Sequence, residues 1–151
     1  MTCNSALRVL AASAIVFATT FASSALAQTS KPYTEGSVWY MSMIRVKPGM
    51  MDVYMRDVLP LRKQMNEEAK KQGLILSSHV LVGSSAGRDD FDVLFLDEYK
   101  NWAAFDGMSA KYDAIASKVI GTEEKQVQLM SKRTDVREIM GEKMMQELMP
   151  K

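Results

Sequence analysis

The sequence predicts a single α+β domain, from its composition and from the order in which strand-like and helix-like patterns follow one another. The chain has 151 residues, of which 47% are hydrophobic and 25% charged, a balance typical of one compact domain. Three runs rich in β-branched and aromatic residues are interspersed with three helical patterns, and an ambiguous tail follows. The predicted order is therefore β-α-β-β-α-α, with the tail still to be placed.

The first strand and the first helix follow a polar segment. Residues 28–36 are polar and lack periodicity, so they predict a flexible leader, and the run over 37–46 predicts the first strand. After a Lys-Pro-Gly breaker, apolar residues recur at helical spacing up to Gly73, the expected C-cap. Pro60 lies inside this pattern and predicts a kink, or a break into two helices just before it.

A hairpin and two helices are predicted next. Residues 74–82 and 91–99 predict the second and third strands, with a polar loop between them. Asn101 is the expected N-cap of a helix that Gly121 closes. Thr122, followed by two glutamates, is the expected start of a further helix, because acidic residues are favoured in a first turn.

The C-terminal tail fits two kinds of element. Its methionines fit a helix, while residues 143–149 fit an edge strand. A strand would complete the common β-α-β-β-α-β arrangement. We therefore predict a strand at the tail and keep the helix as the alternative.

Residues 1–27 carry the pattern of a cleaved export signal. Arg8 precedes an apolar run over 9–21, and small residues end in Ala-Leu-Ala at 25–27. The apolar run is shorter than the ~20 residues that a membrane-spanning helix needs. We expect a mature chain that begins at Gln28, is periplasmic or secreted, and has no membrane contact after cleavage.

Charge and cysteine content exclude several classes of partner and site. Removing residues 1–27 takes one of the 19 basic residues and none of the 18 acidic ones, which leaves no basic excess for a nucleic-acid backbone. The single cysteine, Cys3, lies inside the signal, so the mature chain has no thiol for a disulfide or a metal site. With one histidine and no cysteine, a conventional zinc site is not expected, and we predict no metal and no cofactor.

Both faces of the predicted sheet are apolar. In the first strand Tyr40 and Ile44 alternate with Met41 and Met43, although a strand solvated on one side has polar residues at alternate positions. Helices on one side of such a sheet leave its other face uncovered. The same face of a second copy is the simplest cover, so we predict a homodimer with two sheets packed face to face.

The order of elements, together with three short motifs, resembles a known family. Val-Lys-Pro-Gly at 46–49, Asp-Glu-Tyr-Lys-Asn at 97–101 and Trp-Ala-Ala-Phe at 102–105 look like the dimeric α+β barrel proteins, which include antibiotic-biosynthesis-monooxygenase-like and NIPSNAP-like groups. The resemblance covers roughly residues 37–120. It implies a ferredoxin-like β-α-β-β-α-(β) fold, here with an extra C-terminal helix, and it implies dimerisation. It does not imply one activity, because such proteins include cofactor-independent oxygenases, haem-degrading enzymes and dismutase-like enzymes.

Two titratable residues are candidate catalytic groups. His79, in the second strand, can act as a general base or as a ligand of haem or a metal, although a lone histidine in a strand more often has a structural role. Asp97 and Glu98 point to opposite faces of the third strand, so one of them meets an apolar environment and needs a partner, for which Arg45 is the candidate. The alternative to catalysis is a structural ion pair between strands.

Aromatic residues near strand ends predict an apolar pocket. Together with Tyr40 and Arg45, they would line a site for a small apolar or aromatic molecule, and the alternative is that they simply fill the core. The aromatic residues predicted to contact the ligand are Trp39, Tyr99 and Trp102.

Methionines suggest a different kind of binding site. The chain has 13 of them, and thioether sulfurs bind Cu(I), although methionine also serves as a filler of irregular gaps. The two groups are Met41, Met43, Met50, Met51 and Met55, and Met140, Met144, Met145 and Met149.

We therefore expect a small exported protein that binds a small molecule or acts as an interaction module, without a clear catalytic constellation. One alternative is a cofactor-independent monooxygenase or a haem-binding or haem-modifying enzyme, with His79 as base or ligand and Asp97 in its pocket. The other is a copper protein that uses methionine ligands.

Overall fold

A computed structural model describes residues 30–151, so the signal predicted over 1–27 lies outside the described residues. The described chain forms one antiparallel sheet in the order β2-β3-β1-β4. Its helices lie between these strands in the sequence. The elements are β1 (Tyr33–Val46), α1 (Met51–Lys71), β2 (Ser77–Val82), β3 (Val93–Tyr99), a short 3₁₀ helix (Trp102–Phe105), α2 (Met108–Val119), α3 (Glu123–Val136) and β4 (Arg137–Pro150). This is the ferredoxin-like α+β arrangement with an added helix, which confirms the predicted fold class.

β4 is a strand of 14 residues, longer than the predicted 143–149. It pairs along the whole of β1, with Tyr40 opposite Met144 and Ser42 opposite Glu142. The register shifts twice, between Glu35 and Val38 and between Met43 and Ile44, and each shift marks a bulge or irregularity in the pairing. The tail is therefore a strand, as predicted, and the helical alternative is wrong.

β1 begins at Tyr33, and not at Ser37 as predicted. The prediction of a flexible leader is wrong for residues 33–36, because the end of β4 supplies them with backbone partners: Tyr33 lies opposite Pro150. Pairing of backbone N–H and C=O groups stabilises an extended chain even where the side chains show no strand pattern.

α1 is one continuous helix through Pro60, so the predicted break into two helices is wrong. Proline removes one helical hydrogen bond, and the carbonyl that loses its donor belongs to Arg56. Both residues are exposed, so water can satisfy that carbonyl. The apolar stripe of α1 buries Tyr54, Val58 and Ala69, as its periodicity predicts.

Several element ends differ from the predicted ones. The helix predicted from Asn101 is a short 3₁₀ helix followed by α2, because Gly107 adopts a left-handed conformation with a φ of 65° between them. β2 and β3 are each shorter than predicted at their N-terminal ends. α3 begins after Thr122 as predicted.

The sheet has two different faces. Its helix-side face carries the even-numbered residues of β1 and the odd-numbered residues of β3, among them Ile44 and Phe95, which are buried with α1 in one core cluster. A second cluster joins Ile115 of α2 to Tyr99 of β3. The opposite face carries Trp39 and the other residues of reverse parity. None of the helices in residues 30–151 is long and apolar enough to cross a membrane.

Candidate functional site

A cavity of about 700 Å³ lies between the helix-side face of the sheet and the helices. Strands β1, β3 and β4, all three α-helices and the 3₁₀ helix contribute to its walls, which are largely apolar. The charged residues that line it are Arg62, Asp97, Arg133, Arg137 and Glu142, and the tyrosines are Tyr40, Tyr99 and Tyr112. Volume, apolar walls and a few convergent polar groups are the features of a small-molecule site.

An ion pair between Arg62 and Asp97 forms one side of the cavity. The Arg62 Nη2 lies 2.6 Å from Asp97 Oδ1, and the two side chains are 19% and 10% exposed. Asp97 therefore does have a partner at the apolar face, as predicted, but the predicted partner is wrong. Arg45 lies on the opposite face and donates to the backbone oxygens of Gly87 and Asp90.

The position of Arg62 in α1 explains the pairing. Arg62 lies four residues after Val58, within the stripe of α1 that faces the sheet. Asp97 is opposite Tyr40 in the sheet, five residues along β1 from Arg45. The sequence signal that identifies Arg62 is thus a charged residue on an otherwise apolar helical stripe, a signal that strand parity alone does not contain.

The Arg62 guanidinium is held from several directions. Its Nη2 also lies 3.3 Å from Ser78 Oγ, which accepts a second hydrogen bond from Asn66 Nδ2 at 2.6 Å. The guanidinium carbon lies 4.2 Å from the centre of the Phe95 ring. The Arg62 Nε is buried without a hydrogen-bond partner among the described residues. The group is therefore oriented in advance and keeps one donor free.

Three phenols give the cavity its neutral polar groups. The hydroxyls of Tyr99 and Tyr112 share a hydrogen bond of 3.1 Å. Burial raises the pKa of both tyrosines above the ordinary range, and burial together with the neighbouring Glu142 carboxylate raises the pKa of Tyr40 to about 12. At neutral pH all three phenols keep their protons. Within the Tyr99–Tyr112 pair one hydroxyl donates to the other, which leaves the second hydroxyl of the pair able to donate to a ligand.

The predicted site residues are divided between different surfaces. Asp97 and Tyr99 line the cavity. Trp39 and His79 lie together on the opposite face, with ring centres 6.1 Å apart. Trp102 is half exposed on the 3₁₀ helix, where its indole nitrogen donates to Gln146 Oε1 at 3.1 Å.

The two candidate catalytic residues therefore do not form one constellation. His79 is opposite Leu96 in the β2–β3 pairing. Leu96 directly precedes Asp97 in β3, so the side chains of His79 and Asp97 point to different faces of the sheet. Any reaction in the cavity would have to use the residues that line it.

The methionines of the two predicted groups are also spread over different surfaces. Met144 lines the cavity, whereas its neighbour Met145 is on the opposite face, across from Trp39. Met50, Met51 and Met55 pack against the buried cluster around Ile44. These positions match the role of methionine as a filler of irregular gaps.

No family model and no curated protein matches the sequence. A solved protein from Shewanella oneidensis is 12% identical, with 78% of this chain and 96% of that chain covered and a TM-score of 0.47. A dimeric protein of unknown function and ferredoxin-like fold from Bacteroides fragilis is 11% identical (76% and 98% covered, TM-score 0.42). A dimeric ferredoxin-like protein from an uncultured marine organism is 16% identical (76% and 95% covered, TM-score 0.47). All three TM-scores are below 0.5, so the functional proposals for this chain rest on its own geometry.

Proposed function

We propose that this protein binds a small, largely apolar molecule in the cavity between its sheet and its helices. The observation that carries the proposal is the cavity itself, with a volume of about 700 Å³. Its volume falls in the range of about 300–1,000 Å³ that ligand pockets occupy.

The polar groups of the cavity support binding because they are already oriented. Arg62 hydrogen-bonds to Asp97 and Ser78 and lies over the Phe95 ring. The hydroxyls of Tyr99 and Tyr112 are joined by a hydrogen bond. Groups that do not have to be ordered when the ligand arrives cost little conformational entropy. A ligand with an apolar body and a few acceptor atoms fits this arrangement.

Binding is tested with the neutral fluorescent compound N-phenyl-1-naphthylamine. We expect its fluorescence to rise and saturate with the wild-type protein. Ser42→Phe should weaken binding at least about tenfold, because Ser42 lines the cavity on β1, opposite Phe95 in β3 and Glu142 in β4, and a ring there fills the space.

The matched control is Val127→Phe, which adds a ring on α3 outside the cavity wall, where Val127 is 61% exposed. Its binding should equal that of the wild type. Equal binding by both variants, with unfolding curves that show both to be folded, would place the compound outside the cavity and overturn the proposal. Absence of any binding to the wild type would do the same.

We further propose that the mature protein is an exported homodimer. In this dimer the sheet face that carries Trp39, on the side away from the helices, packs against the same face of a second copy. The centre of this face is apolar. In the single chain, its residues Met41 and Leu96 are half-buried. Its margins expose Leu81 and Met145 to 54% and 46%. Monomeric proteins rarely leave a continuous apolar patch of this kind in water, and a two-fold axis lets one patch cover its copy.

Native mass spectrometry of the protein from an exporting host tests the dimer and the export signal together. We expect a chain that begins at Gln28 and a mass of two chains at micromolar concentration. Leu96→Asp should give a monomer, because the dimer would bury an unpaired carboxylate. The control Val127→Asp, on α3 where Val127 is 61% exposed, should remain dimeric.

A monomeric wild type would contradict the dimer. Since a charge at Leu96 can also disturb folding, Met41→Lys provides a second variant on the same face, and a folded dimer from both variants would contradict the proposed interface. A chain that retains residues 1–27 after export would contradict the cleavage site alone.

A further inference from the structure

Two arginines line the cavity without a carboxylate partner. Arg133 in the last turn of α3 and Arg137 at the start of β4 both contribute to its wall. Within residues 30–151 the salt bridges within 4.0 Å involve neither guanidinium. Among residues 30–151, the hydrogen-bond partner of the Arg137 guanidinium is the neutral hydroxyl of Tyr54, to which Nη1 donates at 3.1 Å. Two cations therefore share a partly buried site, and the described part of the chain places no opposing charge at contact distance.

This arrangement is electrostatically unfavourable in the empty protein. Burial lowers the pKa of Arg133, and the neighbouring charge of Arg137 lowers it further. Arginine nevertheless stays protonated at neutral pH. Two like charges in a partly desolvated site are stabilised by an anion that enters between or beside them. The pair thus has the properties of an anion site at the wall of a cavity.

The pair lies at one end of the cavity. Arg137 is opposite Val46 in the sheet, whereas Tyr99 is opposite Val38, eight residues earlier on β1. At roughly 3.3 Å per residue, these two positions are about 26 Å apart along the strand. Apolar residues such as Ile44 and Ile139 occupy the sheet beside the arginines.

The carboxylates of the cavity are placed away from this end. Glu142 is opposite Ser42, near the middle of the same stretch of β1, and Asp97 is opposite Tyr40 and paired with Arg62. An anionic group of a ligand is therefore repelled from the middle of the cavity and attracted to the arginine end. The charges therefore favour one orientation of an anionic ligand in the cavity, with its anionic group at the arginines.

We infer that the cavity selects amphipathic organic anions, with an apolar body along the sheet and one oxyanion group, such as a carboxylate, at Arg133 and Arg137. This inference rests on the proposed function and names its ligand class. The planar guanidinium offers parallel N–H donors that match the two oxygens of a carboxylate. The tyrosines and Arg62 line the rest of the cavity.

A pair of fluorescent compounds tests the anion site separately from the cavity. 8-Anilinonaphthalene-1-sulfonate and N-phenyl-1-naphthylamine share one aromatic framework and differ in the sulfonate. In the variant Arg133→Gln/Arg137→Gln we expect the affinity for the sulfonate to fall at least about tenfold and the affinity for the neutral compound to stay within about twofold. The control Lys132→Gln removes one exposed charge from the same helix, outside the cavity wall, and should change neither affinity.

Carboxylate selectivity is measured by displacement of the neutral compound. Decanoate should displace it more readily than decan-1-ol from the wild type, and the difference should vanish in the double variant. If Arg137→Gln disturbs folding through the loss of its Tyr54 contact, the single variant Arg133→Gln provides the same comparison.

The outcomes separate the two proposals. If the neutral compound does not bind the wild type, the proposed function fails. If it binds, but the sulfonate is unaffected by the arginine substitutions or is weakened equally by Lys132→Gln, the anion site is overturned while the cavity stands.

Discussion

Replacement of Arg62 by methionine is expected to lower the free energy of unfolding by about 3 kcal/mol. The methionine retains most of the aliphatic volume but removes the guanidinium that lies 2.6 Å from Asp97. Asp97 is among the buried residues of the chain, so its carboxylate would remain in an apolar environment without a partner. Unpaired buried charge costs more than the intact pair contributes, which is why removal of one partner has a large effect. Urea unfolding at neutral pH measures the change.

A double variant distinguishes loss of the pair from general damage to the core. Arg62→Met/Asp97→Leu removes both charges and should recover most of the stability that Arg62→Met loses, since no group is left unpaired. Lys63→Met is the matched control, because Lys63 is the next residue on α1 and its contact with Glu67, at 3.8 Å, is exposed. If Arg62→Met costs no more than Lys63→Met, the ion pair does not stabilise the fold.

Truncation of Ile115 to alanine is the second large change, with an expected loss of about 3 kcal/mol. Ile115 is fully buried and packs with Ala69, Ile75 and Tyr99. It is the only residue within α2 that is fully enclosed, so its packing decides how firmly that helix lies on the sheet. The loss combines the transfer of methyl groups to water with the cavity left behind. Thermal or urea unfolding measures it.

The same substitution should affect ligand binding. Tyr112 lies one helical turn before Ile115 and brings its hydroxyl to Tyr99 at the cavity wall. A loosened α2 should therefore weaken binding of N-phenyl-1-naphthylamine as well as stability. Val127→Ala, at an exposed position of α3, is the control and should change neither. A loss below about 1 kcal/mol from Ile115→Ala would contradict the packing of α2 against this cluster.

The secondary-structure elements and the faces of their residues follow from local sequence patterns. Alternation within β1 and helical spacing within α1 are local properties, because the direction of a side chain follows from its position along a strand or helix. This is why Ile44, Val58 and Ile115 were identifiable as buried positions. The strand at the tail is also predictable, because the predicted β-α-β-β-α core lacks the one strand that completes the common arrangement.

Contacts between elements that are distant in sequence depend on how the whole chain packs. Tyr33 joins β1 because the end of β4 lies beside it. The residues around Tyr33 show no strand pattern from which that pairing could be predicted. Asp97 pairs with Arg62 and not with Arg45, because α1 crosses the face that Asp97 occupies while Arg45 points to the other side. Similarly, Arg133 and Arg137 become a cavity wall only through the packing of α3 over β4. Periodicity gives a residue its face within one element, but the distance between charges on two elements depends on how those elements pack, and that is a property of the whole fold.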